Sequence, residues 1–513
     1  MRRRSLQSPI HSALNKSIFR PIFTEKGDNM NYEAINKYQP DFLPFTDKDF
    51  LESEIASWKY SRTRSLQIKG TLYYKGEHDI LNRRRTVIGE KGIPEEITNL
   101  PNNKTVYNLY AKMVSQKANY LLGKPFVLQS DNPLYTAALK TVFDREFMRI
   151  LKTAGKAALN GGIAWLYPYF DDENKLRFRV FPAYEILPFW VDDAHTEAQA
   201  AIRLYQVETY EGRTPVLREK VELYTQNGVC RFILENGKLL PDTALNQSPL
   251  FLPYAVKKGV KTFEITKDKA AGGAYSWRKL PLIPIKSCES EIPLLKKVKS
   301  LQDGLNLMLS DFENNMQEDA RNTILVLKNY DGTNLGEFRR NLAEYGAVKV
   351  RCDHDSQGGV DTLEVNVNPE NYKTIISLLK NGIVENAMGF SLKDGLSGGQ
   401  GDNSPNQLNI KSMYTDIDLD AGDMETELHS SFQKLFPFVN TYLYLSGKGN
   451  FEKEKAEIIF NRDMLINETE AINNCISSLK LLSEETAVTQ HPWVNDPYEE
   501  LNRIKNERSK NDI

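Results

Sequence analysis

The pattern that most limits what this chain can fold into lies between residues 288 and 436. Two long helical periodicities flank a compact insert that reads strand–helix–strand–strand. A glycine-rich loop and a third long helix follow. Enzyme pockets seldom use such a layout. A tubular assembly does, because paired helices make a wall, the insert makes a rim and the loop makes a collar inside it.

The first helix is expected from about Ser290 to Ala320. Val298, Leu301, Leu305, Met308, Phe312 and Met316 recur at steps of three and four, which puts them on one stripe. Lys296, Lys297, Lys299, Asp303, Asp311 and Glu313 fall mostly off it. The insert reads as a strand over Thr323–Leu327, a turn at Asn329–Gly332 and a short helix from Leu335. Strands over Ala347–Cys352 and Thr362–Val367 complete it, punctuated by Asp355, Gly358 and Gly359. The second helix is expected from Pro369, a residue suited to the first helical position where no amide donor is needed, to about Phe390. Its stripe is Tyr372, Ile375, Ile376, Leu379, Ile383, Ala387 and Phe390.

Order then breaks. Ser391–Pro405 holds Gly395, Gly398, Gly399 and Gly401 among Asp394, Asp402, Asn403 and Ser404. Glycine keeps many backbone states open, so a regular element is costly there. The third helix is expected from about Asn406 to Pro437, on the spacing of Ile410, Met413, Tyr414, Ile417, Ala421, Met424, Leu428, Phe432 and Leu435. Gly422 weakens it by roughly 1 kcal/mol relative to alanine.

The remaining sequence reads as α+β. Val106, Leu109, Tyr110, Met113, Val114, Lys117, Tyr120 and Leu121 mark one helix, stopped by Gly123 and Pro125. A single helix is expected over Leu134–Leu159. Antiparallel strands follow over Ile163–Tyr169, Leu176–Phe181, Ala201–Tyr210, Val216–Tyr224 and Val229–Leu234. After residue 446 the chain reads as mostly helical, with a frayed end. At the other end, Arg2, Arg3, Arg4, Lys16 and Arg20 precede the first acid, Glu25. A disordered extension over 1–44 fits better than a transit peptide, and Met30 is an alternative start.

Charge and composition narrow the function. With 66 basic and 68 acidic residues the net charge is −2. A protein that grips a nucleic-acid backbone carries a clear basic excess, so any contact with DNA is expected to be transient. No apolar run approaches the ~18 residues that span a bilayer. Cys230, Cys288, Cys352 and Cys475 form no CxxC pair, which speaks for reduced thiols and against a disulfide frame or zinc site. Neither a metal nor a cofactor is expected.

Three motifs offer rival functions. Gly395-Leu396-Ser397-Gly398-Gly399 matches G-x-S-x-G, but a nucleophile elbow needs a strand before it and a helix right after. Here a helix precedes and more loop follows, so a serine hydrolase using Ser397 is the weaker reading. Asp416, Asp418, Asp420 and Glu427 imitate a calcium loop. Ala421 stands where glycine belongs, and the helical repeat runs on unbroken, so an acidic helix face fits better than a calcium-responsive module. Arg83-Arg84-Arg85 could meet phosphate, though a solvated turn is the simpler reading. There is no GxxxxGK[ST] and no HExxH.

The order of several phrases resembles the portal, or head-to-tail connector, proteins of tailed double-stranded DNA bacteriophages of the siphovirus and prophage type. The phrases are Tyr73–Leu81, the helix end Asn119–Phe126, Gly161-Gly162 leading to Trp165–Pro168, and Phe181–Pro188. Leu282–Pro284, Ser300–Asp311, Ile324–Lys328, Phe460–Asp463 and Pro492–Glu500 continue the series. The resemblance covers about residues 45–508. It implies an α+β portal fold: a wing over 45–287, a stem helix over 288–320, a clip over 321–367 and a second stem helix over 368–390. A tunnel loop over 391–405, a long wing helix over 406–445 and a mainly helical crown and tail over 446–513 would come next. Where the family often opens its third helix with Ser-Gly-Val-Ala-Leu-Lys, this chain has Ser404-Pro405-Asn406-Gln407-Leu408.

The same resemblance implies a function without catalysis. Subunits would form a ring, usually a dodecamer, at one capsid vertex, residing in the host cytoplasm during assembly and in the virion afterwards. The ring would nucleate the procapsid with the major capsid and scaffolding proteins, and dock the terminase large subunit. It would pass double-stranded DNA in packaging and ejection, and then hold the head-tail adaptor. Lys393 and Asp394 would sit on the tunnel loop with Gly395, Gly398, Gly399 and Gly401. Lys373 and Lys380 are the stem residues expected to face the channel. Arg339 and Arg340 are expected at the terminase-docking end of the clip.

Overall fold

The computed structural model describes residues 47–88, 93–96, 100–171, 173–242, 255–256, 274–275, 277, 279–318, 324–328, 352–353, 356–357, 359–363, 369–390, 412, 414–462, 468–479, 481–494 and 497–511. The extension expected over 1–44, the turn and short helix of the insert and the loop expected over 391–405 lie outside them. The chain divides into two units, Met1–Leu51 and Glu52–Ile513. Only 47–51 of the first is described, as the opening of helix α1 (Lys48–Lys59). The second unit holds every other described element.

The architecture is α+β. After α1 come α2 (Arg62–Lys75), the short pair β1 (Thr86–Ile88) and β2 (Pro94–Glu96), and α3 (Leu109–Leu122). Next are β3 (Val127–Gln129), α4 (Pro133–Lys140) and α5 (Arg145–Gly161). Strands β4 (Ile163–Phe170), β5 (Leu176–Pro182) and β6 (Ile186–Trp190) lead to the long hairpin of β7 (Ala198–Glu211) and β8 (Thr214–Thr225). Then come β9 (Gly228–Glu235), β10 (Lys238–Pro241), the two-residue strands β11 (Ala255–Val256) and β12 (Ala274–Tyr275), and β13 (Ile283–Lys286). Helix α6 (Leu294–Glu318) precedes β14 (Ile324–Lys328), β15 (Cys352–Asp353), β16 (Ser356–Gln357) and β17 (Gly359–Leu363). Helices α7 (Pro369–Asn386) and α8 (Thr415–Leu445), strand β18 (Glu457–Ile459) and helices α9 (Glu468–Ser478), α10 (Glu484–Gln490) and α11 (Pro497–Asn511) complete the order.

Two antiparallel sheets dominate, ordered β10-β9-β8-β7-β6 and β13-β4-β5. Strand β13 is buried along its whole length and β4 over Ile163–Leu166, whereas β5 begins with the two-residue alternation of a half-buried strand. The two sheets share a core of Ile163, Trp165, Phe181, Ile186, Ala201 and Tyr224. Inside it the Arg203 guanidinium lies 4.0 Å from the Phe181 ring centre and 3.9 Å from that of Tyr205, and pairs with Glu185 and Glu222. A buried arginine is tolerable only with such partners.

A second core joins α4, α5 and α8. Phe126, Phe143, Phe147, Phe432 and Phe460 meet edge-on or tilted, with ring centres 4.6–6.4 Å apart, geometries that aromatic rings favour. A third core, Tyr73, Tyr110, Met113, Leu295, Val298, Leu305 and Ile383, packs α2 and α3 against α6 and α7.

Several expectations need correction. The single helix over 134–159 is two, because Asp144 accepts the Phe147 amide at 2.9 Å and caps a new helix at Arg145. The third long helix does not stop at Pro437 but runs to Leu445. Proline inside a helix costs about 3 kcal/mol, and here burial of Phe438, Val439 and Leu443 offsets it. The last strand of the insert lies at Gly359–Leu363, pairing with Ile324–Lys328, so Gly359 is inside a strand and not punctuation. Met316 is 53% exposed and leaves the apolar stripe. Residues past 446 also share the second core, since β18 pairs with β3, and Phe451, Ile458 and Phe460 are buried there. The expected frayed end is helical to Asn511.

Candidate functional site

Helices α6 and α7 form an antiparallel pair built on small residues. Gly304 faces Leu379 and Gly382 faces Leu301, each open position receiving the other helix's leucine. Towards the far end, Asn315 donates to the Tyr372 hydroxyl at 2.9 Å, and the Phe312 and Tyr372 rings lie 5.2 Å apart. At 1.5 Å per residue, the 25 residues of α6 extend about 37 Å. The pairing is reciprocal, so the insert between the helices leaves and returns at one end of the pair.

The opposite flank of α6 carries a buried polar stripe. Gln302, Asn306, Ser310 and Asn314 are spaced by four, and all are 0–2% exposed. They hold the segment 103–107 that precedes α3. Asn314 Oδ1 accepts the Asn103 amide at 2.7 Å, Ser310 Oγ the Thr105 amide at 2.9 Å and Asn306 Oδ1 the Tyr107 amide at 3.0 Å. Gln302 Oε1 accepts the Tyr110 amide, and its Nε2 donates to the Tyr107 carbonyl. Four residues of helix rise about 6.0 Å and two residues of extended chain about 6.6 Å. Helix side chains therefore act as a ladder for alternate amides of the segment.

The ladder fixes a histidine. Asn306 Oδ1 already accepts from Tyr107, so its Nδ2 faces His78 Nδ1, 2.8 Å away. His78 Nε2 lies 3.1 Å from the Tyr73 carbonyl, which only accepts. The ring is therefore neutral, with its proton on Nε2. Burial lowers its pKa, against the raising effect of the Tyr73 carbonyl and of Asp303 and Asp79. Nearby, burial would raise the Asp79 carboxyl, but bonds from Lys299 and Lys69 outweigh it and bring it to about 2.

The far end of α7 lies against α3. Met388 adopts φ 49°, and the Gly389 amide reaches back to the Val384 carbonyl at 2.9 Å, a left-handed helix stop. A side chain at Gly389 would meet Met113 Sδ at 2.5 Å, so the methionine would have to shift to admit one. Gln116 then closes two bonds on Phe390: Nε2 donates to its carbonyl at 2.9 Å and Oε1 accepts its amide at 3.2 Å. The Phe390 ring stands 4.4 Å from that of Tyr414, which stacks on Tyr120. The two ends of the stretch between Phe390 and Tyr414 are thus held together on one face of α3.

That face is also charged. Lys117, almost wholly buried, pairs with Asp420 at 2.5 Å; burial lowers its pKa and Asp420 opposes the shift. The Tyr120 hydroxyl donates to Asp418, which also meets Arg462 at 3.3 Å, and Arg462 reaches Glu425 at 2.5 Å. Met113, Gln116, Lys117 and Tyr120 recur at helical spacing, so one face of α3 ties α7, α8 and the 460–462 segment together.

Of the stem residues expected to face a channel, Lys373 is exposed, with Glu370 4.0 Å away. Lys380 instead lies over the Tyr107 ring at 4.4 Å. Lys393, Asp394, Gly395, Ser397, Gly398, Gly399, Gly401, Arg339 and Arg340 lie outside the described residues. Arg83 pairs with Asp311, and Arg85 donates to the Pro101 carbonyl, so two of the three clustered arginines brace the turn. Asp416, Asp418 and Asp420 stand in an unbroken helix, and no group of acidic, His and Cys side chains suited to a metal occurs among the described residues. Gln116 and the amide stripe of α6 escaped the sequence reading, in which Tyr120 stood only as a mark of its helix.

A family of phage portal proteins, SPP1 Gp6-like, matches residues 55–513 of the chain. The chain is 29% identical over 453 residues to the portal protein of Bacillus phage SPP1, covering 86% of this chain and 84% of that protein. It is 25% identical over 460 residues to the portal protein of Clostridium phage phiCD119, covering 88% and 93%. A solved structure, the neck of an empty GTA particle computed with C6 symmetry, aligns with 74% of this chain and 88% of the matched chain, at 12% identity and a TM-score of 0.36.

Proposed function

Because the chain belongs to the SPP1 Gp6-like family of phage portal proteins, we propose that its copies close into a ring at one capsid vertex and conduct double-stranded DNA through the centre. Portal function, and with it a place in the virion, follows from that membership. The finer reading is a ring of about twelve copies that nucleates the procapsid together with major capsid and scaffolding proteins. It docks the terminase large subunit, passes DNA in packaging and ejection, and then holds the head-tail adaptor. None of these steps asks the chain for catalysis.

One observation carries the finer reading: the antiparallel α6–α7 pair, with an insert at one end and both ends of the 391–413 stretch pinned at the other. That arrangement supports reading the pair as a wall between a docking rim and an inner collar. Helix α7 carries Glu370 and Glu385 against Lys373 and Lys380, so its charges cancel. Each fixed phosphate contact adds affinity, and a balanced wall lets a duplex slide. Arg339 and Arg340 are proposed at the docking rim, and Lys393 and Asp394 at the collar.

The test is a phage carrying Lys393→Ala with residues 395–401 shortened. Intact rings with impaired packaging or genome retention are expected. Normal filling and retention would remove the collar from the account.

A further inference from the structure

The hairpin of β7 and β8 outruns its sheet. Strand β6 pairs with β7 only as far as Arg203, and β9 pairs with β8 only from Glu219 onward. The last five pairs, from Val207 opposite Arg218 to Glu211 opposite Thr214, have no third strand among the described residues. At about 3.4 Å per residue they carry a two-stranded ribbon about 17 Å past the sheet. Such a ribbon is marginal when nothing packs on it.

The register fixes where its backbone groups point. Gly212, at φ 65°, and Arg213 make a two-residue turn. The pair that flanks such a turn, Glu211 and Thr214, exchanges both bonds, and the pairs then alternate. Gln206, Glu208 and Tyr210 therefore turn their N–H and C=O groups outward along β7, and Pro215 and Leu217 do so along β8. The two edges differ. Proline has no N–H, so Pro215 blunts the β8 edge. The β7 edge has no proline or lysine over this stretch, and its twelve pairs with β8 run in unbroken register, without a bulge.

The side chains beside the open edge narrow the occupant. Tyr210, opposite Pro215, is 69% exposed, and Leu217 on the same face is 67% exposed. Glu208, opposite Leu217, is exposed and makes no ion pair among the described residues. Outward groups at every second residue are met by an extended chain, because the backbone groups of a helix are already bonded to one another. A base on that chain would answer Glu208, and an apolar residue would cover Tyr210. A second copy offering the same edge fits poorly. The antiparallel register that uses all three outward residues sets Glu208 against its own copy, and like charges placed opposite each other are destabilising.

We propose that the β7 edge over Gln206–Tyr210 is a docking site for an extended, basic segment of a different phage protein, which joins the sheet as a strand beside β7. The inference rests on the ring reading above and adds to it a surface by which the ring holds a partner.

Residue-resolved hydrogen exchange tests it, on rings of the full-length chain and on purified phage particles that contain them. In rings, the Gln206, Glu208 and Tyr210 amides should exchange at least tenfold faster than those of Val207 and Thr209, which β8 already holds. In particles the three outward amides should slow at least tenfold and the alternation should vanish. Burial without an added strand would not single out those three. Glu208→Pro removes an outward donor and no bond to β8, so rings should form while particles lack the protection at Gln206 and Tyr210. Glu208→Lys keeps the backbone intact and should lose protection through charge alone. Outward amides that exchange as fast in particles as in rings would overturn the proposal. So would full protection in rings of this chain alone, or wild-type protection in particles of both variants. A wild-type chain that forms no ring would instead overturn the ring reading, and the proposal with it.

Discussion

The carboxamide of Gln116 meets the backbone of Phe390 twice, donating to its carbonyl at 2.9 Å and accepting its amide at 3.2 Å. One side chain of α3 thus sets where the chain leaves α7. Gln116→Leu would strand both backbone groups, a loss of about 1–3 kcal/mol. Thermal unfolding should register that loss, and the Phe390 amide should exchange faster. Rings should still form, while genome retention in phage should fall.

Gly304 and Gly382 differ in what a methyl would meet. At Gly304 the nearest atoms are the Leu379 methyls at 3.6 and 3.8 Å, ordinary contact distances. Gly304→Ala should therefore realise the helical gain of about 1 kcal/mol and raise the unfolding temperature. At Gly382 the Leu301 methyl is at 3.4 Å, so Gly382→Ala should give a smaller gain. A Gly304→Phe variant should force the helices apart and lower the unfolding temperature.

His78 makes stability depend on pH in one direction. Burial holds its folded pKa below the unfolded value near 6.5. Its contribution is complete above the unfolded pKa and is lost as pH falls through the window down to the folded value. A proton on Nδ1 would face Asn306 Nδ2, donor against donor, and Asn306 cannot turn without abandoning Tyr107. Urea midpoints measured from pH 8 to pH 5 should fall in the wild type, and His78→Gln should flatten that part of the slope.

Asn306 is the rung on which the ladder most depends. Asn306→Leu leaves the Tyr107 amide and His78 Nδ1 without their partner and Gln302 Nε2 with the Tyr107 carbonyl alone, a cost of about 2–4 kcal/mol. Ser310→Ala removes the acceptor of one amide and should cost about 1 kcal/mol. Paired denaturation curves would rank the two. Equal losses would contradict the ladder.

Much of the wall was legible because it is made of apolar repeats. Pro369 opens α7 as its fixed φ allows, and Leu301, Leu305, Leu379 and Ile383 take their places in the helix pair. The polar stripe was not legible. Gln302, Asn306, Ser310 and Asn314 look like a solvated face until the backbone of 103–107 is laid against them. Their one signal is a strict four-residue spacing without a charge. Pro437 misled because a local rule lost to burial of the residues after it. Lys117 stood among apolar positions of its helix, and its buried pairing with Asp420 accounts for that place. Gln116 carried no comparable signal, because its partner is a backbone distant in sequence.

Electron microscopy of the purified protein tests the central claim most directly. Annular particles with an open centre wide enough for a duplex, and the α6–α7 pairs arranged around it, are the predicted result. A compact monomer at every concentration and salt tried, with no annulus in any phage particle, would contradict the account.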